Sequence, residues 1–345
     1  MRDVLTREPE CGKIGGRQVK RMGKGSLKEY VLKRLRESGR ISGEKLAEET
    51  GFSRTYIWKA VCALRRDGYY IEATQNCGYR LVENTDVLAP ETLRKLLIPE
   101  LRAAQLEFFD AVDSTNNVCK KLAESGCPEW TMAFAREQTA GRGRNDHTFF
   151  SPPDTGLYMS AVLRPAIAAG DAVLLTAAAA VAVAKALEKI CGVKAGIKWV
   201  NDIYIDGKKV CGILAEASLK PGKECPEYVI LGIGINVSPP KGGFPDEIKD
   251  TAASVAKDVI TDLKSRVAAE VLNELYSYCQ CLSFKGYYKD YKKRCFVLKK
   301  RVTFEKDGEC VTATAVGITK DFELIVRDDN GKRHVLNSGE ISVKT

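Results

Sequence analysis

Histidine is nearly absent from this chain: there are two in 345 residues, His147 and His334. That removes the commonest proton-transfer group near neutral pH and the commonest nitrogen ligand for zinc. The 12 cysteines include no CxxC pair; Cys279 and Cys281 form a lone CxC. No zinc site is expected, and in a reducing compartment these thiols read as small apolar residues. There is no Walker A motif and no Ser-His-acid arrangement. No apolar run approaches the roughly 20 residues that cross a bilayer. The longest, "AVLLTAAAAVAVA" from Ala172, reads as a buried helix. The N-terminal stretch lacks the apolar segment of a signal peptide, so a cytoplasmic protein with no membrane partner is expected.

What the chain does have is positive charge, unevenly spread. Its net charge is +9, and residues 1–84 hold 18 Lys and Arg against 11 Asp and Glu, a net +7. A polyanion partner for this first quarter follows from that footprint. Residues 1–22 read as a basic, disordered extension. Next, "SLKEYVLKRLRESG" puts Leu27, Tyr30, Val31 and Leu35 on one helical face, with Gly39 as a stop. "ISGEKLAEETG" is a second helix, capped by Ser42 and closed by Gly51. In "FSRTYIWKAVCALRRDG", Ile57, Val61 and Leu64 make the buried face of a third, which Ser53 can cap. Ser53, Arg54, Thr55, Trp58 and Lys59 are left to face outward. "YYIEATQNCGYRL" then forms two strands about a turn at residues 75–78. Three short helices and a hairpin make a winged helix-turn-helix over residues 23–84, with the third helix reading DNA.

From residue 85 to about 295, strands and helices alternate, which predicts a mixed α/β domain on one sheet. "LEFFDAV" and "VILGIGINV" are strands; "DAVLLTAAAAVAVAKALEKI" is a helix; the stretch from Thr251 to Leu282 holds one or two helices. Residues 296–345 change to short strands, with turns at residues 306–308, at Lys320 and Asp321, and at residues 329–331. Some fifty residues of this type predict a small SH3-like β-barrel. The fold class is thus α+β and multidomain.

Four segments of the central domain carry chemistry. In "QTAGRGRNDHTFFSP", from Gln138, two glycines free the backbone while Arg142 and Arg144 offer forked donors suited to carboxylate or phosphate. Such a loop is expected to be disordered when empty and to close on an anion; the plain alternative is an exposed basic loop. In "IKWVNDIYIDGKKVCGILAE", from Ile197, the pair Asp206-Gly207 signals a two-residue hairpin turn. That register pairs Tyr204 with Lys209 and Asp202 with Cys211, and puts these four on one face. Asp202 and Lys209 then supply opposite charges, either as a surface ion pair or as a site in which Lys209 neutralises a transferring phosphoryl or acyl group. A longer turn would break this register. In "LGIGINV", Gly232, Gly234 and Asn236 share a strand face, where missing side chains admit either a flat ligand or a packed helix. "DSTN", from Asp113, is a strand-to-helix junction whose N–H groups and hydroxyls suit a polar head group. With two histidines in all, general-base catalysis by histidine is not expected; the chemistry reads as electrostatic, as suits nucleotidyl or acyl transfer.

Taken in order, "DSTN", "EQTAGRGR" with "FFSP", "KWVNDIY", "KKVCGIL", "GIGINV" and "GEIS" resemble the biotin protein ligases, in particular the bifunctional type that represses biotin operons. The resemblance spans residues 26–345. It implies formation of biotinyl-5′-AMP from biotin and ATP with Mg²⁺, then transfer to a lysine of a biotin carboxyl carrier protein. It assigns Ser114, Thr115, Asn116, Gln138, Gly141, Arg142, Arg144, Lys209 and Gly212 to biotin, with Lys209, Arg142 and Arg144 catalytic. It assigns Arg144, Phe149, Asn201, Asp202, Asn236, Glu340 and Lys344 to the nucleotide, with Asp202 toward Mg²⁺. Operator DNA and a ligand-promoted homodimer are the further partners implied. The chain departs from the family where a second Gly-Arg pair and a tryptophan are usual: here the run is Asn145, Asp146, His147, Thr148, Phe149. That puts retention of the adenylate in question and passes the aromatic lid to Phe149. Val200 replaces a proline, and Lys344 an arginine, keeping charge but losing the fork. A ligase whose winged helix has lost its operator, and a biotin sensor without catalysis, are the competing functions. A lipoate ligase should lack the N-terminal helices and the barrel.

Overall fold

The computed structural model describes residues 24–66, 69, 71–74, 77–81, 86–145, 147–220, 222–257, 260, 262–306, 309–337, 339 and 341–343. The extension at residues 1–22, Asp146, Glu340, Lys344 and parts of the turns at 75–78 and 306–308 lie outside them. The chain divides into two compact units, residues 1–83 and 84–345.

In the first unit, helices α1 (Lys24–Ser38), α2 (Gly43–Thr50) and α3 (Arg54–Arg66) are followed by a hairpin. Its strands β2 (Ile71–Thr74) and β3 (Gly78–Leu81) are joined by the short β1 (Arg40–Ile41) in the order β1-β3-β2. The apolar periodicity sets the packing: Leu27, Val31 and Leu35 of α1 and Ile57, Val61 and Leu64 of α3 are all buried. Ser42 caps α2 by accepting from the Lys45 N–H at 3.0 Å, and Gly51 closes it at φ 72°. A buttress joins α1 to α2, where the Arg34 guanidinium makes a two-pronged bond to Glu49 at 2.8 Å and 2.8 Å. Ser53, Arg54, Thr55, Trp58 and Lys59 are exposed on α3, with Tyr56 beside them.

The second unit begins with α4 (Pro90–Leu96) and α5 (Pro99–Arg102). Next come β4 (Leu106–Val112), α6 (Thr115–Glu124), β5 (Met132–Gln138) and β6 (Gly156–Leu163). The long α7 (Ala172–Cys191) leads to β7 (Gly196–Lys198), β8 (Asp202–Ile205), β9 (Lys208–Ser218) and β10 (Tyr228–Asn236), and then to α8 (Leu263–Cys279) and α9 (Tyr288–Arg294). Strands β4 to β10 form one seven-stranded sheet in the order β4-β5-β6-β10-β9-β8-β7. Only the β4–β5 pair is parallel, with α6 as its crossover. Strand alternation gives the sheet two faces. Val229, Leu231, Ile233 and Ile235 of β10 join the main core with α7 and α8, whose small and branched residues are buried all round. Tyr228 and Ile230 point to the other face, onto Cys119 and Ala123 of α6. Gly232, Gly234 and Asn236 continue that second face.

The remaining strands, β11 (Arg301–Lys306), β12 (Glu309–Ile318), β13 (Leu324–Asp328), β14 (Arg333–Leu336) and β15 (Ile341–Val343), form an antiparallel five-stranded sheet in the order β14-β13-β12-β11-β15. It docks on the segment before β8. The Trp199 indole N–H donates to the Phe322 carbonyl at 2.7 Å, and Phe322 is packed among Tyr287, Tyr288 and Tyr291. The Tyr291 hydroxyl donates to the Val200 carbonyl at 3.0 Å. The peptide between Trp199 and Val200 is cis.

Candidate active site

The β8–β9 hairpin turns as expected, with Asp206 and Gly207 both at positive φ, 50° and 78°. The register beyond the turn differs from the simple one. Tyr204 faces Lys209, but Asp202 faces Gly212 rather than Cys211. Val210 is an extra residue, a bulge. It sends both Val210 and Cys211 into the core, and it leaves Lys209 and Gly212 together on the α6 face. Cys211 is therefore no part of the site, and burial raises its thiol pKa. Asp202 and Lys209 still meet, at 2.8 Å. Lys209 is pinned through its backbone as well: its N–H donates to Thr251 at 2.7 Å and its carbonyl accepts from Ala253 at 2.9 Å.

The bulge also lines up three strands. Gly212 lies opposite Gly234, and Gly234 opposite Tyr158. Two glycines side by side make a flat floor, and the Phe149 ring lies on it. A Cβ on Gly234 would come within 2.6 Å of that ring, and one on Gly212 within 3.3 Å. Phe149 meets Tyr158 edge-on at 6.5 Å. The two readings of "LGIGINV" therefore divide between its glycines. Gly234 admits a flat group, while Gly232 admits the first turn of α6, since its Cβ would sit 2.1 Å from Asn116 Oδ1.

The loop from Gly141 folds back as a small hairpin. Arg142 pairs with Thr148, the Gly143 N–H donates to His147 at 2.6 Å, and the Phe149 N–H donates to Gly141 at 2.8 Å. Neither loop glycine has a left-handed φ; Asn145 does, at 51°. Gly141 is needed for closeness instead, because a Cβ there would lie 2.3 Å from the Phe149 carbonyl oxygen.

At the "DSTN" junction the N-terminal groups of α6 are engaged with neighbours. The Thr115 N–H donates to Gln138 Oε1 at 2.9 Å, and the Thr115 hydroxyl lies 2.7 Å from that of Ser160. Ser160 donates to Asn116 Oδ1 at 2.6 Å, and Asn116 Nδ2 donates to Glu216 Oε2 at 2.6 Å. Glu216 Oε1 pairs with Arg142 Nη1 at 2.9 Å. Gln138 Nε2 donates to Ser151, which donates to the Phe149 carbonyl, both at 2.9 Å. Asp113 accepts from the Ser114 N–H and from Asn117, bonds that hold its carboxyl below the usual range.

Two cavities result. The larger, about 320 Å³, is lined by Arg142, Arg144, Phe149, Asn201, Asp202, Lys209 and Gly212, among others. The smaller, about 20 Å³, is lined by Ser114, Thr115, Asn116, Gln138, Arg142, Phe149 and Gly212, among others. Arg142, Phe149, Gly212 and Leu214 line both. The smaller holds little more than a water, because the Phe149 ring fills the space over the glycines. Arg144 Nη1 donates to Asn201 Oδ1 at 3.3 Å, and Asn201 Nδ2 donates to the Ile213 carbonyl at 2.9 Å.

Most of the residues singled out in the sequence thus converge. Gly141 is buried and lines neither cavity, and nor does Asn236, whose backbone carbonyl accepts from Val255. Glu340 and Lys344 lie outside the described residues, but Gly339 and Ile341 on either side of Glu340 line the larger cavity. Sequence reasoning missed Lys198, Ser160 and Glu216. Lys198 and Glu216 stood in a quoted motif without a role; Ser160, within a buried strand, gave no signal. Among the described residues Asp202 is the one carboxylate lining the larger cavity, and no cluster of three His, Cys, Asp or Glu for a metal exists. That carboxylate suits a Mg²⁺ carried in with a polyphosphate substrate. No helix among the described residues is long and apolar enough to cross a membrane.

Comparison with known proteins matches three segments of the chain to families. Residues 108–236 match the Biotin/lipoate A/B protein ligase family, residues 28–80 an HTH domain, and residues 297–344 the Biotin protein ligase C terminal domain. The chain is similar to the bifunctional ligase/repressor BirA of Bacillus subtilis strain 168, 38% identical over 236 residues that cover 68% of this chain and 72% of the relative. It is similar to a biotin–[acetyl-CoA-carboxylase] ligase of Mycobacterium tuberculosis, 28% identical over 257 residues, 69% of this chain and 88% of the relative. The solved biotin protein ligase of Aquifex aeolicus in complex with biotin and ATP aligns with a TM-score of 0.56 at 28% identity, over 70% of this chain and 98% of that one.

Proposed function

The chain belongs to the biotin protein ligase family, and from that premise we propose how its two cavities divide one reaction. The protein forms biotinyl-5′-AMP from biotin and ATP and passes biotin to a lysine of a biotin carboxyl carrier protein. The observation that carries this is the shared wall: Arg142, Phe149, Gly212 and Leu214 separate a polar niche from a larger cationic cleft. The biotin head group enters the niche of Ser114, Thr115, Asn116 and Gln138 and displaces the Phe149 ring. Its tail runs over Gly212, where the Lys209 side chain already packs, with Cε 3.5 Å from the place of a Gly212 Cβ. The nucleotide occupies the larger cleft beside Arg144, Lys198 and Asn201.

A carboxylate oxygen of biotin attacks the α-phosphorus, and pyrophosphate leaves. Lys209 stands at the crossing point and neutralises charge on the carboxylate and α-phosphate, while Asp202 holds its ammonium in place. Arg142 and Arg144 cover the anion and exclude water. Asp202 is the residue that would help hold a Mg²⁺, which would supply neutralisation of the departing phosphates. In the second half-reaction the carrier amine attacks the acyl carbonyl and AMP departs. Phe149, relocated from the glycine floor, becomes the aromatic cover of the adenylate, and Glu340 and Lys344 are further nucleotide contacts.

The first unit is a winged helix-turn-helix whose α3 presents Ser53, Arg54, Thr55, Trp58 and Lys59 to operator DNA, and the adenylate promotes a repressing homodimer. We place the domain boundaries at residues 23–84, 85–295 and 296–345, read the last as an SH3-like barrel, and assign the protein to the cytoplasm. The test is biotin-dependent pyrophosphate release from ATP. Release by the wild type and its loss in Lys209→Ala is the expected result; equal release by both would remove Lys209 from the mechanism.

A further inference from the structure

Glu216 lies on β9, on the face that carries Gly212 and Leu214, and nothing so far gives it a role in the reaction. Both its oxygens are used: one accepts from Asn116 Nδ2 at 2.6 Å, the other pairs with Arg142 at 2.9 Å. An ionised carboxylate only accepts. It therefore decides which way the Asn116 amide faces, since only the NH₂ end can meet it. That leaves Asn116 Oδ1 toward Ser160, so the single Ser160 hydroxyl hydrogen is spent on Asn116. At the 2.7 Å contact between Ser160 and Thr115, the hydrogen must then come from Thr115. Gln138 Oε1, farther from that hydroxyl at 3.1 Å, keeps the Thr115 backbone N–H as its donor. The chain runs one way, from Thr115 to Ser160 to Asn116 to Glu216, and Arg142 donates to the same carboxylate. Thr115 is left with its lone pairs for the niche it lines.

We propose that Glu216 is a specificity-determining positioning residue for biotin. Its carboxylate fixes the Asn116 amide, and through it the Thr115 hydroxyl, as an acceptor for a ring N–H of the ligand. The same carboxylate holds Arg142 across the neck between the two cavities. This rests on the niche being the biotin site.

In Glu216→Gln the one carbonyl oxygen serves Asn116 or Arg142, and the new NH₂ group confronts the other donor. In Asn116→Asp two carboxylates face each other. The double variant Asn116→Asp/Glu216→Gln restores every bond. Its introduced glutamine donates the NH₂ group to the new carboxylate and accepts from Arg142 through its carbonyl, and the second oxygen of the new carboxylate accepts from Ser160. Biotin affinity of the four full-length proteins is measured by titration calorimetry, with thermal unfolding alongside. Each single variant should bind at least about tenfold more weakly, the loss of one charge-assisted bond. The double variant should recover part of that loss and bind at least about threefold more tightly than the weaker single variant, on the same scale. Wild-type affinity in Glu216→Gln with only the unfolding midpoint lowered assigns Glu216 a purely structural role and overturns the proposal. So does a double variant no tighter than the weaker single one. A wild type that binds no biotin overturns the reading of the niche itself, and this proposal with it.

Discussion

Replacing Gly232 by alanine adds one methyl group, and the structure says where it goes. The backbone is not in a left-handed conformation there, so alanine is tolerated locally. The new Cβ would lie 2.1 Å from Asn116 Oδ1, 3.0 Å from its Cγ and 3.2 Å from its Nδ2. Asn116, only 5% exposed, must retreat by about 1 Å or more to reach ordinary contact distance. That breaks its bond from Ser160 and lengthens its bond to Glu216, both 2.6 Å in the native protein. One neutral and one charge-assisted bond together are worth about 3 kcal/mol. Shared between folding and binding, this predicts a stability loss of about 1–2 kcal/mol and a drop in biotin affinity of about tenfold or more. Urea unfolding and titration calorimetry measure the two parts. Gly170→Ala is the control, since nothing lies within 4 Å of its added methyl. A Gly232→Ala protein with wild-type stability and affinity would refute the steric argument and the Asn116 network built on it.

Other outcomes follow from the same structure. Phe149→Ala empties the glycine floor: biotin should associate faster by stopped-flow, and the adenylate should dissociate faster because its cover is gone. Slower association would show that the ring guides the ligand and does not occupy its place. Burial raises the Asp86 carboxyl to about 6, against the pull of Lys264 beside it. The folded state then holds a proton that the unfolded state has released, so stability falls as pH rises from about 4 to 6, by about 3 kcal/mol at most for this group. Asp86→Asn should flatten that slope in urea midpoints taken at several pH values; an unchanged slope removes Asp86 as its source. On the first unit, Arg54→Ala and Lys59→Ala should each weaken operator binding and lower its salt dependence by about one counterion if the side chain meets a phosphate. Fluorescence anisotropy at several salt concentrations reads this, and a slope unchanged in both variants would take the exposed face of α3 off the backbone.

The parts legible in the sequence were those fixed by local chemistry. The apolar spacing of Leu27, Val31 and Leu35, the Ser42 cap, the Gly51 stop and the Asp206-Gly207 turn each need only a few neighbouring residues, and each appears where its pattern puts it. The charged groups of the site were legible as well, because Lys209 and Asp202 are close along a hairpin. What was hidden depends on packing between distant segments. The bulge at Val210 arises because two successive apolar side chains, Val210 and Cys211, both enter the core, and alternation alone cannot show that. Gly141 and Gly232 are glycines because other segments of the chain come close, at the Phe149 carbonyl and at Asn116, and not because of their own φ. Glu216 has no local signal at all; its role exists only once α6, β9 and the arginine loop are brought together.

In the proposed mechanism one cationic crossing point, Lys209, serves a biotin niche and a nucleotide cleft that share a wall. The most direct measurement is the mass of a biotin carrier domain after incubation with the protein, biotin, ATP and Mg²⁺, with Lys209→Ala run in parallel. One biotinyl group should be added to the carrier lysine by the wild type and none by the variant over the same time. An unmodified carrier with the wild type, under conditions where biotin is bound, would contradict this mechanism and leave a protein that senses biotin without transferring it.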